Sequence, residues 1–352
     1  MVRITGNFQQ ERVLHSASAS LLTELFAKGW PDPSKLNNQS RQTALLLQQA
    51  RESIAKHLNT RPDEIEFLGE SDLGFQIGIQ GLLNSQSTLH YSAIDRQKVF
   101  AVAAAEKNSG RSVNLLGVDN QGVIEESLVD PQDLLVWQVA NGETGNIQSA
   151  PVGNCQIFAD CTSSGIDCLP NFQYQSALFD STSWAGPSGV GILVIKSNSK
   201  WRNPLPHNDL VRVPNSFSLA LVLASAVAIE NYATQVDIRP KLKRFMMDYI
   251  STQITEVDIA SNLTGLSKNI SISIKGIEAD RLLLALEDSG FAVDSGSACK
   301  SADMQPSHVL AAMGRPIAGN IRLTIHKEMT EQVVRDFCVA LKENVLKLRK
   351  IN

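Results

Sequence analysis

Short apolar runs alternating with helix-periodic segments constrain this chain more than any other feature. Ile65-Glu66-Phe67-Leu68, residues 88–92, Leu134-Leu135-Val136-Trp137-Gln138-Val139, and residues 155–159, 177–180 and 190–196 read as strands. Residues 14–30, 73–84, 95–106 and 218–233 read as helices between or beside them. That alternation predicts an α/β chain with a largely parallel sheet covered by helices. The first helix stops at Gly29-Trp30-Pro31-Asp32-Pro33. Ser40 is placed to cap a helix running to about Asn59, with Leu47, Ala50, Ile54 and Leu58 at helical spacing. Ile270-Ser271-Ile272-Ser273-Ile274 alternates as a strand. Thr330 is placed to cap a final amphipathic helix with Val334, Phe337, Leu341, Val345 and Leu348 on one face.

With 352 residues, 43% of them hydrophobic, the chain can bury a large core and divide into two domains. A net charge of -4 argues against nucleic acid and against a membrane surface as partner. No apolar run is long enough to span a bilayer, and Met1-Val2-Arg3-Ile4-Thr5-Gly6-Asn7 lacks a signal-peptide core. The five cysteines, 155, 161, 168, 299 and 338, show no paired spacing, so neither a zinc site nor a disulfide framework is expected. The expectation is a protein of the reducing cytoplasm.

Cys299 stands in Ser295-Gly296-Ser297-Ala298-Cys299-Lys300-Ser301, a run of small residues that cannot cover a sulfur. A strand-like run, 290–293, leads in, and a helix-like run, 306–313, leads out. A thiol on such a loop suits a nucleophile or sulfur carrier, although a small residue in a tight turn reads the same way.

The order SGSAC-x-S, PSHVL-x-AMG and NIR-x-T resembles the cysteine-loop signature of cysteine desulfurases, class V aminotransferases of the fold-type I pyridoxal-phosphate (PLP) group. The resemblance implies PLP as cofactor, Cys299 as the nucleophile that leaves as a persulfide, and Arg322 as the clamp on the substrate carboxylate. It implies a large, mostly parallel α/β domain near 14–235, and a smaller α+β domain from 236–352 with 1–13. It also places the active site at a homodimer interface, near the C-terminal ends of the strands. Asn141-Gly142-Glu143-Thr144-Gly145-Asn146-Ile147-Gln148 resembles the family's N-x-E-x-G-x-x-Q loop, with Asn141 approaching the PLP hydroxyl. Asp160, closing a strand, takes the place of the aspartate on the pyridinium nitrogen, the charge pair that makes PLP an electron sink.

Other positions depart from the family. Thr182-Ser183-Trp184-Ala185-Gly186-Pro187-Ser188-Gly189-Val190-Gly191 aligns with H-K-x-x-G-P-x-G-x-G, so Ser183 stands where the Schiff-base lysine belongs. A hydroxyl cannot form an imine. Arg96 replaces the ring-stacking histidine, Glu70-Ser71-Asp72 replaces the phosphate cup, and Asp180 replaces a hydroxyl residue. A cup needs N–H groups and hydroxyls, and acids there repel a dianion. Asp72 and Asp180 are therefore expected to face the phosphate space, with Arg96 paired to one of them.

Three functions fit these residues. One is a desulfurase-like protein that has lost independent PLP catalysis but handles sulfur at Cys299. The second is an active desulfurase holding PLP without a covalent bond and feeding iron–sulfur cluster assembly. The third is an inert structural or regulatory partner of an active relative. The expected partners are a second copy or an active relative, and a sulfur-acceptor protein.

Overall fold

The computed structural model describes residues 5–11, 14–125, 129–207, 212–213, 217–295 and 306–351. Cys299 lies outside the described residues. Strand β1 (Gly6–Asn7) is followed by α1 (Ser16–Lys28) and α2 (Asn38–His57). Then come β2 (Ile65–Leu68), α3 (Ser71–Gln80), β3 (Leu89–Ser92), α4 (Gln97–Asn108) and β4 (Val113–Leu116). β5 (Leu134–Gln138), β6 (Gln156–Asp160), β7 (Ser176–Asp180), β8 (Gly191–Ile195) and α5 (Leu219–Thr234) complete the first layer.

Strands β2 to β8 form one seven-stranded sheet in the order β2-β8-β7-β6-β5-β3-β4. β8 runs against both its neighbours, and every other adjacent pair is parallel. The carboxyl ends of β2, β3, β5, β6 and β7 therefore share one edge. Successive residues serve opposite faces: Ala177, Phe179, Ile192 and Val194 pack with α2 and α5, while Leu178, Leu193 and Ile195 pack with α3. Burial on both faces is what a covered, largely parallel sheet requires, and it explains the unbroken apolar runs.

The remaining chain adds α6 (Arg239–Gln253), β9 (Val257–Ile259), β10 (Asn269–Ile274), α7 (Ala279–Asp288), β11 (Phe291–Ala292), β12 (Asp294–Ser295), α8 (His308–Ala312), β13 (Asn320–Thr324) and α9 (Glu331–Ile351). β12, β13, β10 and β9 make an antiparallel sheet in that order. Its core joins Leu242 and Met246 of α6, Leu282 and Leu286 of α7, and Val334, Phe337 and Leu341 of α9. β1 pairs with β11, and Phe8 enters this second core. No single helix among the described residues is long and apolar enough to cross a membrane.

Thr330 caps α9 as expected, accepting the Val333 N–H at 3.3 Å. Ser40 does not cap α2. Asn37 does, its side-chain oxygen accepting the Ser40 N–H at 2.8 Å, so the helix begins earlier than the sequence reading had it.

Helix α3 reaches the sheet through two glycines one turn apart. A Cβ on Gly74 would meet Leu178 at 2.3 Å, and one on Gly78 would meet the Phe158 ring at 2.2 Å. This close approach holds the first turn of α3 beside the end of β7. Gly78→Ala is expected to destabilise the fold by about 1–3 kcal/mol, because Phe158 is fully buried and has nowhere to move. Equilibrium urea unfolding checks this, and an unchanged midpoint would contradict the packing described.

Candidate functional site

The carboxyl edge of an open α/β sheet is where ligands bind, because loops and helix starts converge there. Ser71 and Asp72 follow β2, Arg96 follows β3, Asn141 follows β5, Asp160 ends β6, and Thr182 and Ser183 follow β7. Arg322 comes from β13 of the other sheet and reaches the same edge by way of Glu143.

Asp160 is buried. One carboxylate oxygen, Oδ1, accepts the Thr162 N–H at 2.9 Å and the Thr162 hydroxyl at 2.6 Å. The other, Oδ2, makes no hydrogen bond and lies 3.5 Å from Arg96 Nε. Arg96 Nη2 donates to Ser163 Oγ at 2.6 Å, and Gly142 leaves room for that hydroxyl, since a Cβ there would meet Ser163 Oγ at 2.7 Å. Nearby, Asp95 is fully buried and accepts the Ser92 N–H at 2.7 Å. Burial first, then the Asp160 charge, push the Asp95 carboxyl well above its usual range.

The expected pairing of Arg96 with Asp72 or Asp180 is therefore corrected: its partner is Asp160. Asp72 turns outward to Lys98 at 2.9 Å, an exposed pair, so its expected repulsion of a phosphate loses its source. Lys98 stands on the first turn of α4, where it competes successfully for that carboxylate. Asp180 does face the cup. Its Oδ2 accepts from Ser71 Oγ at 2.6 Å, and its Oδ1 accepts the Thr182 N–H and hydroxyl at 2.8 and 2.6 Å.

Ser183 is buried and donates its hydroxyl to the Asp180 carbonyl at 2.7 Å. Gly165, at φ +53°, comes close enough that a Cβ there would overlap Ser183 Oγ. Asn141 has its whole amide engaged. Nδ2 donates to Ile94 O and Gln138 Oε1 at 3.2 and 2.9 Å, and Oδ1 accepts the N–H groups of Glu143 and Thr144 at 2.9 and 3.0 Å. Two donors and two lone pairs are all that an amide offers. Arg322 donates to the Ser295 carbonyl at 3.0 Å and lies 3.8 Å from Glu143, whose other oxygen accepts from Ser307 Oγ at 2.6 Å.

The Asn141–Gln148 loop is also held from the second sheet. Asn146 donates to Ala260 O and accepts from the Asn262 N–H, Ser261 donates to Thr144 O, Leu266 N–H donates to Gly145 O, and Asn269 donates to Gly142 O. Among the described residues a cavity of about 40 Å³ lies beside Thr162, Ser163, Thr182, Ser183, Lys268 and Asn269. A far larger groove, about 930 Å³, lies between α1, α2 and α5 and carries none of the site residues that the resemblance implies.

The sequence reading missed Ser163, Glu143 and Lys268. Ser163 was legible in principle, three residues beyond Asp160, and Glu143 stands inside the Asn141 motif. Lys268 gave no signal, because only the packing of the second sheet brings it to this edge.

A mostly parallel sheet with its ligand edge facing a smaller antiparallel layer is the fold-type I architecture of PLP enzymes. Residues 21–337 match the family model Aminotransferase class-V, and the chain belongs to that family. Among curated relatives, cysteine desulfurase IscS of Clostridium botulinum (strain Hall) is 26% identical over 92% of this chain and 89% of its own length. Cysteine desulfurase IscS of Dictyoglomus turgidum is also 26% identical, over 96% of this chain and 92% of its own. A solved NifS-like protein superposes with a TM-score of 0.84 over 99% of this chain and all of its own, at 21% identity.

The family implies PLP, but these residues do not fit it. No amine stands at Ser183, Arg96 lies 3.5 Å from the Asp160 oxygen that makes no hydrogen bond, and a carboxylate meets the first turn of α3. Ligand cavities usually measure about 300–1,000 Å³, against the roughly 40 Å³ left here.

Proposed function

We propose that this chain is a desulfurase-fold protein that accepts and relays sulfur at Cys299 without PLP catalysis of its own. The observation that carries this reading is Ser183, a hydroxyl tied to the Asp180 carbonyl where the family's lysine stands. The desulfurase identity of the relatives supports sulfur as the cargo. The transfer is a thiolate exchange. The Cys299 thiolate attacks the outer sulfur of a donor persulfide, an S–S bond forms at Cys299, the donor S–S bond breaks, and the donor leaves as a thiolate. The protein acts in the cytoplasm, as a homodimer or beside an active relative, and passes the sulfur to an acceptor protein.

The other four thiols are poorly suited to compete. Burial pushes the thiols of Cys155 and Cys168 up, raises Cys161 well above the usual range, and raises Cys338 to about 12. Thiolate is the reactive form. Alkylation followed by mass mapping is expected to label Cys299 first. A small-molecule persulfide donor is expected to add one sulfur atom there, and Cys299→Ser is expected to abolish that gain. Equal, slow labelling at all five cysteines would favour the inert-partner reading instead.

A further inference from the structure

Two charges at the carboxyl edge come from half-buried side chains of the chain itself, Arg96 and Asp180. Asp160 is a buried carboxylate whose Oδ2 makes no hydrogen bond, and the group that meets it is the planar guanidinium of Arg96, 3.5 Å away. The first turn of α3 has no side-chain cap from Glu70, and the group that meets it is the Asp180 carboxylate, through Ser71 Oγ at 2.6 Å. The start of a helix favours an anion, and a buried carboxylate requires a cation. A flat cation on one side and an anion on the other is the charge pattern of a pyridinium that carries a phosphate.

We propose that this chain supplies its own ligand: Arg96 is a built-in planar cation on Asp160, and Asp180 is a built-in anion on α3, so the pocket is filled from within. The fold then needs no cofactor for its stability. Ser163 seats the guanidinium by accepting from Nη2, and Gly142 gives the Ser163 hydroxyl its clearance. Glu143 treats Arg322 in the same manner, placing a carboxylate of the chain 3.8 Å from the guanidinium that the resemblance reserves for a substrate carboxylate. This holds whether or not Cys299 carries sulfur.

The test removes each built-in ion and offers a soluble one. Arg96→Ala is expected to melt below the parent protein, and millimolar methylguanidinium is expected to raise its melting temperature while leaving the parent's unchanged or lower. Pyridoxine, which has the ring but neither phosphate nor aldehyde, is expected to bind Arg96→Ala at least about tenfold more tightly than the parent by titration calorimetry. Asp180→Ser is expected to be stabilised by inorganic phosphate, and the parent is not. Arg96→Lys, which keeps the charge, is expected to stay near the parent. Should Arg96→Ala fail to fold, Arg96→Gln carries the test, since it keeps bulk and loses charge and is expected to melt well below Arg96→Lys. The proposal is overturned if Arg96→Ala folds and methylguanidinium does not stabilise it, if the parent responds equally to either probe, or if Arg96→Gln and Arg96→Lys melt together.

Discussion

Given cysteine, a reductant and added PLP, the purified protein is expected to release neither sulfide nor alanine above a heat-inactivated control, and Ser183→Lys is expected to leave it there. Lysine at 183 supplies an amine, yet three obstacles remain. Arg96 still lies against Asp160, Asp180 still meets the first turn of α3, and the cavity, about 40 Å³ with serine at 183, gains no room from a longer side chain. Two unit charges of like sign at 4 Å repel by roughly 4 kcal/mol at an effective dielectric of about 20. A phosphate seated against Asp180 would face a repulsion of that order, about half the binding energy of a micromolar site. Sulfide assay and absorbance at the edge of the visible range measure the two halves of this prediction. Sulfide release by the unaltered protein that vanishes on Cys299→Ala would make the chain an active desulfurase. An absorbance band appearing in Ser183→Lys alone would show that the lysine was the one missing piece.

Asp167→Ala is expected to remove about 3–5 kcal/mol of stability, because it strands buried cations. Asp167 accepts from both terminal nitrogens of Arg239 at 3.1 and 2.8 Å and from the Tyr232 hydroxyl at 3.0 Å, with Lys268 at 3.5 Å. These partners come from α5, the start of α6 and the segment before β10, so one carboxylate ties the two layers together. Burial works to raise this carboxyl, but Lys268 and the Arg239 guanidinium prevail and hold it at about 2. Its folded value lies below the unfolded one near 4. The stabilisation is therefore fully present above pH 4 and is lost as pH falls toward 2. A shift of roughly two units corresponds to about 2.5 kcal/mol. Urea unfolding of the parent and Asp167→Ala between pH 2 and 7 should show a gap that narrows by about 2.5 kcal/mol at the acid end. A gap that stays constant with pH would contradict the assignment.

The sheet was legible in the sequence because strands buried on both faces must be apolar throughout, as Val136, Phe158, Leu178 and Leu193 are. β4 was not, because it is an edge strand whose Asn114 and Leu115 are exposed, which breaks the apolar run. α6 and α7 were passed over although each carries a buried stripe, Leu242, Met246 and Ile250 in one, Leu282 and Leu286 in the other. At the site, the types and chain positions of Arg96, Asp160, Asp180 and Ser183 could be read by motif. Their pairing could not. Arg96 and Asp160 stand 64 residues apart, and whether Arg96 meets Asp160 or Asp180 depends on rotamers that no spacing encodes. Asp72 shows the same limit, since Lys98, two residues beyond Arg96, captures it.

The hydrogen bonds that fix the Asn141–Gln148 loop have a consequence for how such chains evolve. Gly142, Thr144, Gly145 and Asn146 join the two sheets whether or not any ligand lies between them. Selection for folding alone is enough to hold such letters in place, whether or not a reaction is carried out between the sheets. A signature can in this way outlive its chemistry, and the letters that persist longest record mechanical duty.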